Sequence, residues 1–136
     1  MHSPIVEPLP RRLLVVDDEK DIATVLKKGL ENYGFKVDVY LDPIQTLIHY
    51  KPGSYDLLLL DIKMPGLDGY ELFKRIRKID RKVRVCFLSA AEGSQIKEYK
   101  KQIISDRKYF VKKPVAIKDL VDRINSILEE VSDTAT

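Results

Sequence analysis

Several short apolar runs in this chain end abruptly in residues that can do chemistry. Leu13–Leu14–Val15–Val16 stops at Asp17, Asp18 and Glu19, and the run from Leu57 to Leu60 stops at Asp61. The run from Val83 to Leu88 stops at Ser89, and Tyr109–Phe110–Val111 stops at Lys112, Lys113 and Pro114. Carboxylates brought close together repel one another and need a cation. Hard oxygen ligands favour Mg2+, which prefers octahedral geometry and keeps several waters. A carboxylate beside such an ion is a nucleophile toward phosphorus, and an ammonium group would neutralise charge on the phosphoryl oxygens. A serine within hydrogen-bonding range would sense whether the phosphoryl group is present. No signal is specific alone, because an Asp pair after a strand is often a helix N-cap and Lys-Pro is a common dipeptide. Their weight comes from joint placement, and placement depends on the elements that carry them.

Those elements alternate. After the first apolar run, Ile22, Val25, Leu26, Leu30 and Tyr33 follow helical spacing, and Gly34 ends that helix. Phe35, Val37 and Val39 alternate with Lys36 and Asp38, as in an outer strand with one drier face. Asp42 as N-cap and Pro43 at the first helical position open a short helix with Ile44, Leu47 and Ile48, which Pro52–Gly53 breaks. Leu57 to Leu60 is apolar on both alternations and suits a central strand covered on both sides. A loop with Pro65 and Gly66 leads to Asp68 or Gly69, where a third helix begins with Tyr70, Leu72, Phe73, Ile76 and Ile79. The fourth strand precedes a polar helix with Ile96, Tyr99, Ile103 and Ile104, and Tyr109 to Val111 is a fifth short strand. Ile117, Leu120, Val121, Ile124, Ile127, Leu128 and Val131 form the clearest helical stripe. Five strands alternating with five helices imply one α/β domain, a doubly wound parallel sheet of (βα)5 form. Ligands of such sheets bind where the strands' carboxyl ends meet a topological switch point. That rule gathers Asp17, Asp18, Asp61, Ser89 and Lys113 at one rim.

Composition narrows the field. The 136 residues fit one domain, residues 11–131, with a leader at 1–10 carrying three prolines and a polar tail at 132–136. No apolar run approaches the roughly 18 residues that span a bilayer, and residues 1–10 lack a signal-peptide apolar core. A net charge of +3 is mild and far from the footprint of a dedicated nucleic-acid binder. Cations do gather between Ser94 and Pro114, a solvated face or a docking surface for an acidic partner. The lone Cys86 reads as a small buried hydrophobe, and His2 and His49 lack metal-ligand spacing.

Leu14-Val-Val-Asp-Asp-Glu19, Leu60-Asp-Ile-Lys-Met-Pro-Gly-Leu-Asp-Gly69, Ser89-Ala90 and Phe110-Val-Lys-Lys-Pro114 resemble, in order, the motif series of response-regulator receiver domains. The segment from Asp61 to Gly69 has that family's specific D-x-x-M-P-G-x-D-G form, and the resemblance runs from about Arg12 to Val131. It implies a flavodoxin-like fold with strand order 2-1-3-4-5. It also implies that Asp61 accepts a phosphoryl group from a histidine kinase or phosphotransfer protein, with Mg2+ as cofactor. Asp18 would bind the ion directly, Asp17 through water, and the backbone carbonyl of Lys63 would complete the metal set with Asp61. Ser89 would donate a hydrogen bond to the phosphoryl group, Lys113 would pair with it, and the Lys113–Pro114 bond would be cis. Phe110 takes the position of the switch aromatic, which turns inward when Ser89 moves. The face of the fourth helix, fifth strand and fifth helix would then change shape for a partner or output domain.

The implied protein is a cytoplasmic signalling switch rather than an enzyme, without membrane or direct nucleic-acid contact, and its assemblies include a phosphorylation-dependent homodimer. Some positions depart from the pattern. Lys63 is a long cation that either leans over the phosphoryl group and slows hydrolysis or carries its charge into solvent. Phe110 lacks the hydroxyl of tyrosine versions and is alternatively plain core. Ile103-Ile-Ser-Asp-Arg-Lys108 replaces a small-residue turn. Two other readings remain, an unphosphorylated docking module with the same fold and a Mg2+-dependent phosphohydrolase. Against the latter, such enzymes place D-x-D after the first strand, whereas Asp17 and Asp18 are adjacent.

Overall fold

The computed structural model describes residues 9–90 and 109–130. In chain order the elements are β1 (Arg12–Val16), α1 (Lys20–Asn32), β2 (Lys36–Tyr40), α2 (Pro43–His49), β3 (Leu57–Asp61), α3 (Gly69–Ile79), β4 (Arg84–Ser89), β5 (Phe110–Lys112) and α4 (Ile117–Leu128). The strands form one parallel sheet in the order β2-β1-β3-β4-β5, as the resemblance implies. The helix expected around Ile96 to Ile104, and most of the cation run from Ser94, lie outside the described residues. The fifth helix of the sequence pattern is therefore α4.

The central strand explains the layers. Leu57 and Leu59 enter one core with Leu13, Val15, Leu88 and the apolar stripes of α1 and α4. Leu58 and Leu60 enter a second core with Leu14, Val16, Phe87 and α3 residues Leu72, Phe73 and Ile76. A strand buried on both faces reads as a continuous apolar run because neither alternation meets water. The edge strand β2 buries Val37 and exposes Lys36 and Asp38, the alternation expected of it. Its outward carbonyl at Val37 accepts a 2.6 Å hydrogen bond from Lys27 Nζ on α1.

Helix starts follow the local chemistry. Asp42 Oδ1 accepts the Ile44 N–H at 2.9 Å with Pro43 next in line, and Asp68 Oδ1 accepts the Glu71 N–H at 2.8 Å. Several apolar side chains lie outside the cores. Val25, Tyr33, Ile44, Ile48 and Ile79 are all exposed. On α2 the buried positions go to Pro43 and to Thr46, whose hydroxyl donates to Asp42 O at 2.8 Å. A seven-residue helix has too little surface to bury each residue of an apolar stripe.

The far end of the sheet, away from the carboxyl ends of the strands, is tied together by buried polar groups. Tyr50 O–H donates to Asp80 Oδ2 at 2.6 Å, and the Gly53 N–H donates to the same oxygen at 3.1 Å. Burial, and then the Asp80 carboxylate, push the Tyr50 phenol far above its ordinary range. Leu59, fully buried at the centre of β3, is the most direct test of the packing. Leu59→Ala is expected to cost about 3–5 kcal/mol of unfolding free energy, read as a lower midpoint in urea denaturation.

Candidate functional site

Asp17, Asp61, Ser89 and Lys113 meet at the carboxyl ends of β1, β3, β4 and β5, where parallel sheets bind ligands. Asp61 and Ser89 are the last residues of their strands, and Asp17 and Lys113 follow theirs. Asp17 is fully buried. Its Oδ1 accepts the Glu19 N–H at 2.9 Å, and its Oδ2 accepts from Lys113 Nζ at 3.1 Å. The same ammonium lies 3.4 Å from Asp61 Oδ1, and Asp61 is 5% exposed. Asp18 is exposed beside them, and the three aspartates present oxygens within 4.8 Å of one another.

Two backbone devices hold Asp61 in place. Gly66 has φ of +86°, a left-handed conformation that glycine adopts without strain, and it turns the loop back toward the rim. Gly69 then packs so closely on the end of β3 that a Cβ would collide with the Asp61 backbone carbonyl. Its N–H donates to Ile62 O at 2.8 Å, while Ile62 N–H donates to Leu88 O at 3.0 Å. The D-G pair thus caps α3 and lets it start directly against the loop after Asp61. Lys63, in that loop, is exposed, and among the described residues no backbone N–H donates to its carbonyl.

Electrostatics follow from burial and excess negative charge. Burial raises the Asp61 carboxyl, Lys113 lowers it, and Asp17 raises it again, leaving it pushed up to about 6. Burial pulls the Lys113 amine down, but its hydrogen bond to Asp17 and the charge of Asp61 outweigh that and leave it raised. One lysine does not neutralise three carboxylates, so the site favours a further cation. The donor set is oxygen throughout and suits a hard divalent ion such as Mg2+.

Ser89 is buried, and its backbone carbonyl accepts the Lys113 N–H at 2.9 Å, which ties β4 to the lysine. The Lys113–Pro114 bond is cis. Phe110 is half-buried and stacks on Phe87 at 5.3 Å, and Phe87 meets Phe73 of α3 edge-on at 5.7 Å. Its packing in this arrangement is that of a core aromatic. Cys86 is fully buried and its thiol is pushed up to about 12 by that burial. The supporting roles of the Glu19 N–H and of Gly69 were not anticipated in the sequence. The signals were an Asp two residues before a helix N-cap and a glycine directly after an N-cap aspartate.

A doubly wound parallel sheet with a lysine among buried aspartates at its carboxyl rim defines a class of α/β domains with an acidic, phosphate-compatible site. The family model described as the response regulator receiver domain matches residues 13–125, and the chain belongs to that family, the receiver domains of two-component systems. The transcriptional regulatory protein PrrA of Mycobacterium tuberculosis is 34% identical over 125 residues, covering 92% of this chain and 53% of the relative. A Bacillus subtilis relative, the uncharacterized transcriptional regulatory protein YkoG, is 35% identical over 118 residues, covering 87% and 51% respectively. The chain thus spans about half the length of these relatives. The receiver domain of the Francisella response regulator 1452 superposes with a TM-score of 0.71 at 31% identity, covering 88% of this chain and 97% of that one. A Clostridium thermocellum receiver domain gives 0.73 at 27% identity, covering 87% and 94%. Among the described residues, no helix is long and apolar enough to cross a membrane.

The raised Asp61 pKa sets a pH dependence. A carboxyl whose pKa is higher folded than unfolded is bound to its proton more tightly by the native state, so stability falls as pH rises from 3.8 to about 6 and is level above. Asp61→Asn removes that loss. With a chelator present, the variant is expected to exceed wild type by about 3 kcal/mol at pH 7.5, the difference closing near pH 4. Added Mg2+ should then stabilise wild type and not the variant, all three readings coming from thermal unfolding.

Proposed function

We propose that this chain is a phosphorylatable switch in which Asp61 takes a phosphoryl group from a histidine kinase or phosphotransfer protein. The observation that supports this reading above others is the position of Lys113 Nζ between Asp17 and Asp61 at 3.1 and 3.4 Å. An ammonium so placed neutralises an oxygen delivered to Asp61 while leaving the carboxylate its second oxygen for attack. An Asp61 oxygen forms the bond to phosphorus, the P–N bond of the donor phosphohistidine breaks, and the imidazole leaves. Asp18, Asp61 and the Lys63 carbonyl would hold Mg2+, with Asp17 assisting through water, and the ion would supply charge neutralisation on the phosphoryl oxygens.

Ser89 then donates a hydrogen bond to the phosphoryl group, and Lys113 pairs with it. Phosphorylation adds charge and acceptors at the rim and favours the conformer in which these two side chains converge. Phe110 and the face around β5 and α4 carry the change to a partner protein or an output domain. The switching domain occupies residues 11–131, works in the cytoplasm as a signalling element rather than a turnover enzyme, and takes Mg2+ as its cofactor. Relatives about twice as long that are named transcriptional regulatory proteins support gene control as the final output.

Intact mass after incubation with acetyl phosphate tests the core of this reading. Wild type with Mg2+ is expected to gain one phosphoryl group, while Asp61→Ala, or wild type with a chelator, gains none. Absence of any increment, from acetyl phosphate and from a phosphorylated kinase alike, would leave the unphosphorylated docking module as the better account. Gly69→Ala, which wedges a methyl against the Asp61 carbonyl, is expected to destabilise the fold by about 1–3 kcal/mol. It should also slow phosphorylation at temperatures where the variant is folded, measured by the same assay.

A further inference from the structure

The three-residue strand β5 is fastened at the residue on either side of it and once at its own first residue. At the rim, the Lys113 N–H holds Ser89 O at 2.9 Å, and Lys113 Nζ holds Asp17 and Asp61. At the first residue of the strand, Phe110 O accepts from the Arg123 guanidinium of α4 at 2.9 Å. At the opposite end, the Tyr109 O–H donates to Glu130 Oε1 at 2.6 Å, just past the end of α4. The same residue is held from β4, because the Arg84 guanidinium donates to Glu130 O at 2.7 Å and to Ile127 O. Glu130 is therefore the point where β4, β5 and the last turn of α4 are joined by hydrogen bonds.

We propose that Tyr109 and Glu130 form a latch that transmits the state of the rim to the last turn of α4. The inference rests on the phosphorylation of Asp61 proposed above. β5 itself is three residues of extended chain, Phe110–Lys112, flanked directly by the Tyr109 turn and by Lys113, so a pull at Lys113 is delivered along the strand to Tyr109. When a phosphoryl group on Asp61 replaces the Lys113–Asp61 contact, Lys113 is drawn to new acceptors and β5 follows it along its axis. The Tyr109 hydroxyl hydrogen bond is short and directional, so such a shift loosens it before it disturbs the packed core around Val111. Arg84 belongs to β4 and keeps its hold on the Ile127 and Glu130 carbonyls. The result is a last turn that stays helical but loses its tie to β5. Tyr109 is thus a positioning residue for the readout and takes no part in the phosphoryl chemistry.

Amide hydrogen exchange of the peptide holding Glu129 and Glu130 tests the latch, since these N–H groups donate to Asn125 O and Ile127 O. The full chain is compared with Tyr109→Phe, with and without acetyl phosphate and Mg2+, and intact mass records the phosphorylated fraction. Phosphorylated wild type and unmodified Tyr109→Phe are both expected to exchange about fivefold faster here, and phosphorylating the variant should add nothing more. Unchanged exchange in wild type that mass shows to be phosphorylated overturns the latch and leaves the switch chemistry standing, as do two effects that simply add. Lack of phosphorylation of wild type, by acetyl phosphate and by a phosphorylated kinase alike, overturns the underlying reading instead, and unchanged exchange in unmodified Tyr109→Phe rejects the latch by itself.

Discussion

One ammonium group shared by two buried carboxylates is the constraint around which this molecule is arranged. Lys113 Nζ reaches both Asp17 and Asp61, and neither aspartate is open to solvent to any useful extent. Burying such charges is costly unless each is paired and hydrogen-bonded. The fold meets that condition by delivering the ends of β1, β3 and β5 to one place. Parallel pairing fixes that delivery, since registers such as Val16 with Leu60 and Leu60 with Phe87 align the strand ends. The apolar cores on the two faces of β3 stabilise the sheet and so offset the cost of its acidic rim.

The partial mismatch of charge at the rim has a physical consequence. Among the described residues, one lysine faces three carboxylates, an imbalance that favours a further cation. The raised Asp61 carboxyl comes first from its burial, with Lys113 opposing it and Asp17 adding to it. A fully neutralised cluster would be more stable and would attract a cation less.

Most of this was legible in the sequence because the relevant signals were local. Apolar blocks of strand length followed by aspartate, serine or lysine identified both the sheet and its rim, and Leu57 to Leu60 announced a strand covered on both sides. Asp42–Pro43 announced α2, and Asp68–Gly69 announced α3. What escaped the sequence depended on long-range geometry. Val25, Ile48 and Ile79 fit helical periodicity yet lie outside, because periodicity says which residues share a face and not how much of that face a neighbour covers. The reach of Arg84 to the end of α4 joins residues far apart in the chain, and no spacing rule contains it; Gly69 and Asp61 share one motif, but their spacing does not state that the backbones touch.

The two outer strands share a feature with a consequence for self-association. On β2 the outward Val37 carbonyl is occupied by Lys27, and on β5 the outward Phe110 carbonyl is occupied by Arg123. Each margin of the sheet thus carries a cationic plug in a socket that an incoming strand would need. A second chain adding to either margin must first evict a charged donor and then bury or rehydrate it, and unprotected sheet edges are where aggregation begins. Both margins of the sheet are thus guarded against serving as a template for polymerisation.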